Sequence, residues 1–284
     1  MHSPTQLHVY TPDSELRRPR RLWRQMRRDL WASRELALRL AVRDIRAQYR
    51  QAALGFAWAL ILPLANTVTW IFLSASKLIT VSTTVLPYPV FVFVGTLLWS
   101  IFMEAFTSPL QQTSAAKGML AKINFPPEAL IISGVYQTLF NAAIKFGILL
   151  LILPWLGINL GFGLLLAPLG LLAIVLMGTT LGLLVTPVGL LYGDVGRAMP
   201  LLLQFLMYLT PVVFPLPESG WGGTVMRLNP LTPLILTGRD WLTGQSPEFL
   251  GAFVGVNILA AGLLLVVWLV YRLAMPILIE RMSA

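Results

Sequence analysis

The sequence predicts an all-α integral membrane protein with six transmembrane helices, and three observations carry that reading. Of its 284 residues 56 % are hydrophobic and 12 % charged, with a mean hydropathy of +0.74, whereas soluble domains carry about 25 % charged residues. Stretches 51–76, 78–103, 146–193, 198–217 and 249–271 hold no charge at all, and about 20 apolar residues suffice to cross about 30 Å of hydrocarbon. Finally, 12 of the 21 Lys and Arg residues lie in the first 50 positions, the basic bias that holds a terminus on the cytoplasmic side.

Residues 1–19 read as a loose cytoplasmic tail, and no apolar core of a cleavable signal peptide precedes Gln51. From residue 20 to residue 50 the spacing is helical. Leu22, Trp23, Met26 and Leu30 share one face against Arg20, Arg24, Arg27 and Arg28, and the pattern resumes with Leu38, Val42, Ile45 and Tyr49 against Arg39, Arg43, Arg46 and Arg50. A basic amphipathic helix of this kind lies in the membrane interface, either as a lipid anchor or as a helix that also touches a cytoplasmic partner. Orientation alone accounts for such basic flanks, so no nucleic-acid partner is expected.

Residues 51–284 form the membrane domain, with spans expected near 52–75, 89–107, 130–153, 163–187, 198–215 and 250–271. The turn LPWLGINLGFG divides the longest uncharged run in two. Six spans put both termini inside, together with Lys117, Lys122, Arg197, Arg272 and Arg281, while Arg227 and Arg239 fall in the outer loop against the bias.

Polar residues inside the spans recur at four-residue steps, which keep them on one broad helix face. Ser133, Gln137, Asn141 and Lys145 do so in the third span, Ser100, Glu104 and Ser108 in the second; Asn66 lies in the first, Gln204 and Tyr208 in the fifth. Such stripes serve helix–helix hydrogen bonding or a polar pathway. Lys145 falls near the outer leaflet and is expected to snorkel to the outer interface, with an anionic substrate group as the alternative partner; Glu104 lies near the inner end of its span, far from it in depth. The inner loop 108–128 has room for a short helix, and Pro126, Pro127 and Glu128 suit the first turn of the next one. The long outer loop 214–248, rich in Pro and Gly, has room for short helices at the outer mouth.

Several chemistries are absent. There is no G-x-x-x-x-G-K-[ST] loop to cradle phosphate, no cysteine, and no histidine beyond His2 and His8. Paired carboxylates are lacking as well, so neither catalytic nor metal-binding residues are expected.

Four ordered segments carry a resemblance. RDIRAQYRQAALGFAWALILP (43–63) resembles the R-D-[LI]-x-x-[RK]-Y-[RK]-x-[ST]-x-L-G-x-x-W-[AS]-x-x-x-P signature of the membrane subunits of type-2 ABC exporters, particularly those exporting O-antigen and related cell-surface polysaccharides. KINFPPEAL, YGDVGRAMPLLLQFLMYLTPVVFP and LNPLTPLILTGRDWLTG are similar to further motifs of that family, in the same order. Gln48, Ala52 and Gly193 stand where a basic, a small hydroxylated and an arginine residue are usual.

The resemblance implies a homodimer in the bacterial cytoplasmic membrane, each subunit docked on a separate ATPase that carries the ATP and Mg2+; this chain would bind no cofactor. Residues 20–50 would be the interface helix, contacting the ATPase through Arg43, Arg46 and Arg50. Residues 108–122, with Gln111, Lys117 and Lys122, would be the coupling helix, and 214–241 the gate helices. A channel along which a lipid-linked glycan slides would be lined by Trp58, Trp70, Phe205, Tyr208 and Phe214, with Asn66, Gln137, Asn141 and Lys145 as polar contacts. The same pattern admits capsule, teichoic acid or arabinogalactan-type chains, or a small drug or lipid. A membrane-embedded glycosyltransferase would need convergent carboxylates, which the chain lacks.

Overall fold

The computed structural model describes residues 19–50, 57–78, 84–120, 122–123 and 125–283, and among these every regular element is helical. The expected tail lies outside the described residues. Helix α1 (Pro19–Arg50) is a single helix of 32 residues, because no Gly or Pro interrupts it after Pro19. Its packed face differs from the expected apolar stripe. Met26, Ser33, Ala37, Leu40 and Ala41 are buried, whereas Leu38 and Val42 are exposed; small side chains let α1 lie close against its neighbours, and that closeness outweighs the size of Leu38.

Helices α2 (Trp58–Ala75), α3 (Tyr88–Ala115), α4 (Lys117–Leu120) and α5 (Glu128–Trp155) follow. The second span was expected to end at 107, before an inner loop 108–128 with a short helix; instead residues 108–115 continue α3, and only α4 forms a separate turn. Pro109 removes one backbone hydrogen bond from α3, yet the helix persists, its next turn held where the Thr113 hydroxyl meets the Tyr271 hydroxyl at 3.1 Å in a buried contact. Pro127 caps α5 and Glu128 enters its first turn, as the motif suggested.

A 3-10 turn (Phe162–Leu165) leads into α6 (Ala167–Leu191), and Tyr192 alone separates α6 from α7 (Gly193–Tyr208). The expected loop 188–197 is therefore absent: residues 193–197 form the first turn of α7, with Asp194 placed to favour the helix dipole. The outer loop holds two helices, α8 (Trp221–Leu228) and α9 (Leu231–Thr243), and α10 (Leu250–Ser283) runs well beyond the expected end at 271.

By length and composition α3, α5, α6 and α10 are able to cross a membrane. As described, α2 and α7 have 18 and 16 residues, about 27 and 24 Å at about 1.5 Å per residue. Helix α3 is the buried centre and α10 lies at the rim. The closest approach is between α3 and α6, across Gly178 and Gly182. A Cβ on Gly178 would stand 2.6 Å from the Ala105 Cβ and 2.9 Å from the Phe102 carbonyl oxygen, and one on Gly182 would run into the Phe106 carbonyl.

Candidate functional site

The polar stripe of α5 faces other helices. Gln137 donates its side-chain amide to Asp44 (3.1 Å) and accepts from Gln112 (3.0 Å), and Asn141 accepts from the Tyr49 hydroxyl at 2.8 Å. Asp44 and Tyr49 belong to α1, so the amphipathic helix is stitched to the polar stripe of α5 along its last two turns.

Lys145 does not snorkel outward. Its side chain is 1 % exposed and its ammonium forms an ion pair with Glu104. One boundary shift bears on the difference. Helix α3 extends to Ala115, so Glu104 sits eleven residues, about 17 Å, from that end, whereas α5 starts at Glu128 as the motif suggested. A cation at that depth needs a counter-charge, and Glu104 supplies it.

Three of the expected channel aromatics meet between α2 and the end of α7. Trp70 of α2 stands edge-on to Tyr208 (centroids 5.9 Å apart) and to Phe214 (5.2 Å), and the Tyr88 hydroxyl donates to the Val213 carbonyl at 3.3 Å. All three rings are half-buried. Asn66, one turn before Trp70, is exposed, and so is Phe205, outside the cluster. The side chain of Trp58 lies outside what is described.

Behind the cluster Arg239 of α9 is buried without a carboxylate partner. Its Nη2 donates to the carbonyls of Pro211 (2.9 Å) and Val212 (3.0 Å), and its guanidinium covers the Phe91 ring at 3.7 Å. Carbonyls just past a helix C-terminus carry partial negative charge, and a ring face attracts a cation; together they replace the missing anion. Gly95 makes room, since a Cβ there would collide with both Arg239 and the Val212 carbonyl. Arg239 therefore departs from the positive-inside bias as a packed residue of the outer cap and not as a free loop charge. Burial pushes the neighbouring Asp240 carboxyl up to about 6, despite Arg239 beside it.

The expected ATPase-coupling residues divide between two surfaces. Leu38, Arg39, Val42, Arg43, Arg46 and Arg50 line an open groove of about 630 Å³ on the outward face of α1. Arg39 and Arg43 are paired locally with Glu35 and Asp44. Gln111 and Lys117 line a crevice of about 280 Å³ among α3, α6 and α7, and Lys122 is exposed beyond α4. Among the described residues the arrangement offers an exposed basic groove, a buried ion pair and an aromatic cluster, and no group of acid, base and nucleophile.

Residues 35–239 match the family model for the ABC-2 type transporter, from within α1 to the buried Arg239. The chain belongs to the ABC-2 type transporter family. Among its relatives, an O-antigen export system permease protein RfbA of Myxococcus xanthus is 24 % identical over 211 residues, covering 73 % of this chain and 80 % of that protein. Another protein of that name, from Klebsiella pneumoniae, is 23 % identical over 249 residues, covering 84 % and 94 %. The polysialic acid transport protein KpsM of Escherichia coli is 26 % identical over 233 residues, covering 78 % and 85 %. This ABC-2 transporter is thus a multi-pass membrane subunit that works with a partner ATPase, and not itself an enzyme. The α1 groove, the α3–α6 crevice, the aromatic cluster and the Arg239 cap all fall within the matched segment, whereas α10 lies beyond it.

Proposed function

We propose that this chain is the membrane subunit of an ATP-driven exporter that moves a lipid-linked cell-surface polysaccharide, of the O-antigen or capsule class, outward across the bacterial cytoplasmic membrane. The observation that carries the reading is the half-open aromatic cluster of Trp70, Tyr208 and Phe214, joining α2 to the end of α7. Ring faces give a sugar apolar C–H contact, and the tyrosine hydroxyl adds a polar handle; neither contact fixes register, which suits a chain that must slide. The two RfbA proteins and KpsM support the cargo class by their names.

In this reading α2 and α7 complete six spans, α7 with the turn that leads to Pro215, and both termini are cytoplasmic. Two copies pair, with two ATPase subunits below them holding ATP and Mg2+. Trp58, Asn66, Phe205, Gln137, Asn141 and Lys145 belong to the same channel wall or its support. Arg43, Arg46 and Arg50 meet the ATPase on one surface, Gln111, Lys117 and Lys122 on another. Replacing Lys117 and Lys122 together with Glu will weaken co-purification of the ATPase while membrane insertion stays normal; unchanged co-purification would remove α4 from the docking surface.

The test of function is ATP hydrolysis by the complex in nanodiscs with and without a polyprenyl-linked glycan. The glycan should stimulate hydrolysis, and Trp70→Ala combined with Tyr208→Ala should cut export of long glycans about tenfold, as expected for the loss of ring contacts worth about 0.5–1.5 kcal/mol each. Full export by the double variant would take the cluster out of the channel.

A further inference from the structure

Three cytoplasmic elements converge on one end of α10. Arg272 donates Nη1 to Glu128 (2.8 Å) at the start of α5 and Nη2 to Asp29 (2.6 Å) of α1. The three side chains are 9 %, 1 % and 29 % exposed. One turn earlier Trp268 meets Trp23 of α1 edge-on at 6.3 Å, and the buried Tyr271 hydroxyl touches Thr113 near the end of α3. Val267, Tyr271, Met275 and Leu278 also share a second apolar cluster with Leu40 of α1 and Leu120 of α4, separate from the main core.

The other end of α10 is tied to the outer side. Phe253 packs edge-on against Trp241 of α9 with centroids 5.1 Å apart, two residues from the Arg239 that caps the break after α7. Phe253 and Arg272 are nineteen residues apart in an unbroken helix without proline between them, about 28 Å at about 1.5 Å per residue, close to the hydrocarbon thickness. Between these anchors α10 lies mainly along α6, and Val254, Ile258, Leu259 and Val266 face outward. A rod held firmly at both ends and only along one side between them transmits a shift of one end to the other.

We propose that α10 carries movement of the ATP-driven cytoplasmic elements to the outer helix α9, and that Arg272 is the positioning residue that fastens α1 and α5 to it. The proposal rests on the reading that a partner ATPase drives this chain, and is independent of the cargo. Two carboxylates on separate helices satisfied by one planar guanidinium make a fixed bracket, so α1, α5 and α10 move together.

The absence of cysteine allows a direct experiment. Val85→Cys and Trp221→Cys, both at highly exposed positions on the outer side, take spin labels, and their distance is measured in the ATPase complex in nanodiscs with and without ATP and vanadate. The labelled parent should show a nucleotide-dependent distance change. Arg272→Gln should abolish that change and lower transport about tenfold, a coupling loss of ordinary size, while ATP hydrolysis persists, and Arg272→Lys should restore part of the response. A normal change in Arg272→Gln overturns the proposal. If that variant does not assemble, Asp29→Asn, which removes only the more exposed arm, should give a reduced response, and a full response there overturns it too. A parent without any nucleotide-dependent change would remove the premise of an ATPase drive and the proposal with it.

Discussion

Gly182→Val will abolish stable folding, seen as loss of the monodisperse peak in mild detergent. The added Cβ meets the Phe106 carbonyl, which is backbone and unable to rotate away. Overpacking in a close-packed interior costs about 1–3 kcal/mol or more, and here the strain must push α3 off α6 along the most intimate helix pair of the protein. Gly178, one turn earlier on the same face of α6, would be strained in the same way against Phe102 and Ala105. Gly147→Ala, at a position on α5 where a Cβ meets nothing, should leave the melting temperature unchanged or slightly raised. Equal behaviour of the two variants would mean that α3 and α6 are not in contact as described.

The second large effect concerns the charges within the bilayer. Lys145→Met leaves Glu104 without its partner, and Glu104→Gln leaves a buried ammonium. Breaking a buried pair costs about 3–5 kcal/mol, with the lower end apt here because the Glu104 side chain is 36 % exposed. Replacing both residues removes both charges, so the double variant should regain most of the stability lost by either one. Thermal unfolding of the four proteins in one lipid composition measures the coupling. Additive losses would show that the two side chains do not interact.

Much of the organisation was legible in the chain because its signals are local. Uncharged runs located four apolar helices long enough to span and the shorter α2 and α7, and Pro127 with Glu128 marked the start of α5. The four-residue recurrence of Ser133, Gln137, Asn141 and Lys145 correctly gave a shared face. The small-residue step from Gly178 to Gly182 is equally present in GTTLG, a separation that places both on one side of a helix. Arg272 in sequence is an orienting charge, yet Glu128 and Arg272 are the charges that directly border the uncharged cores of their two helices.

What partnered each polar group was not legible, since partners lie 25 to 243 residues apart and depend on where helices end. Helix ends are the weakest local signal: the extension of α3 through Pro109 moved Glu104 into reach of Lys145, and the same extension took the first eight residues of the expected coupling loop. Leu38 and Val42 show the same limit on a surface. Their spacing predicted an apolar face, but close packing chose the face with Ser33, Ala37 and Ala41 and left the leucine beside the arginines.

The sequence by itself determined that this protein is helical and membrane-embedded, because hydrocarbon penalises every unpaired charge and backbone group wherever they occur in the chain. It also contained the ordered motifs by which the transporter family is identified. Only the tertiary structure decided that Arg239 caps a broken helix, that Lys145 belongs to Glu104, and that Arg272 holds α1 and α5 to α10. Those outcomes turn on ångström distances between helices, and packing of side chains across those distances is a property of the assembled fold.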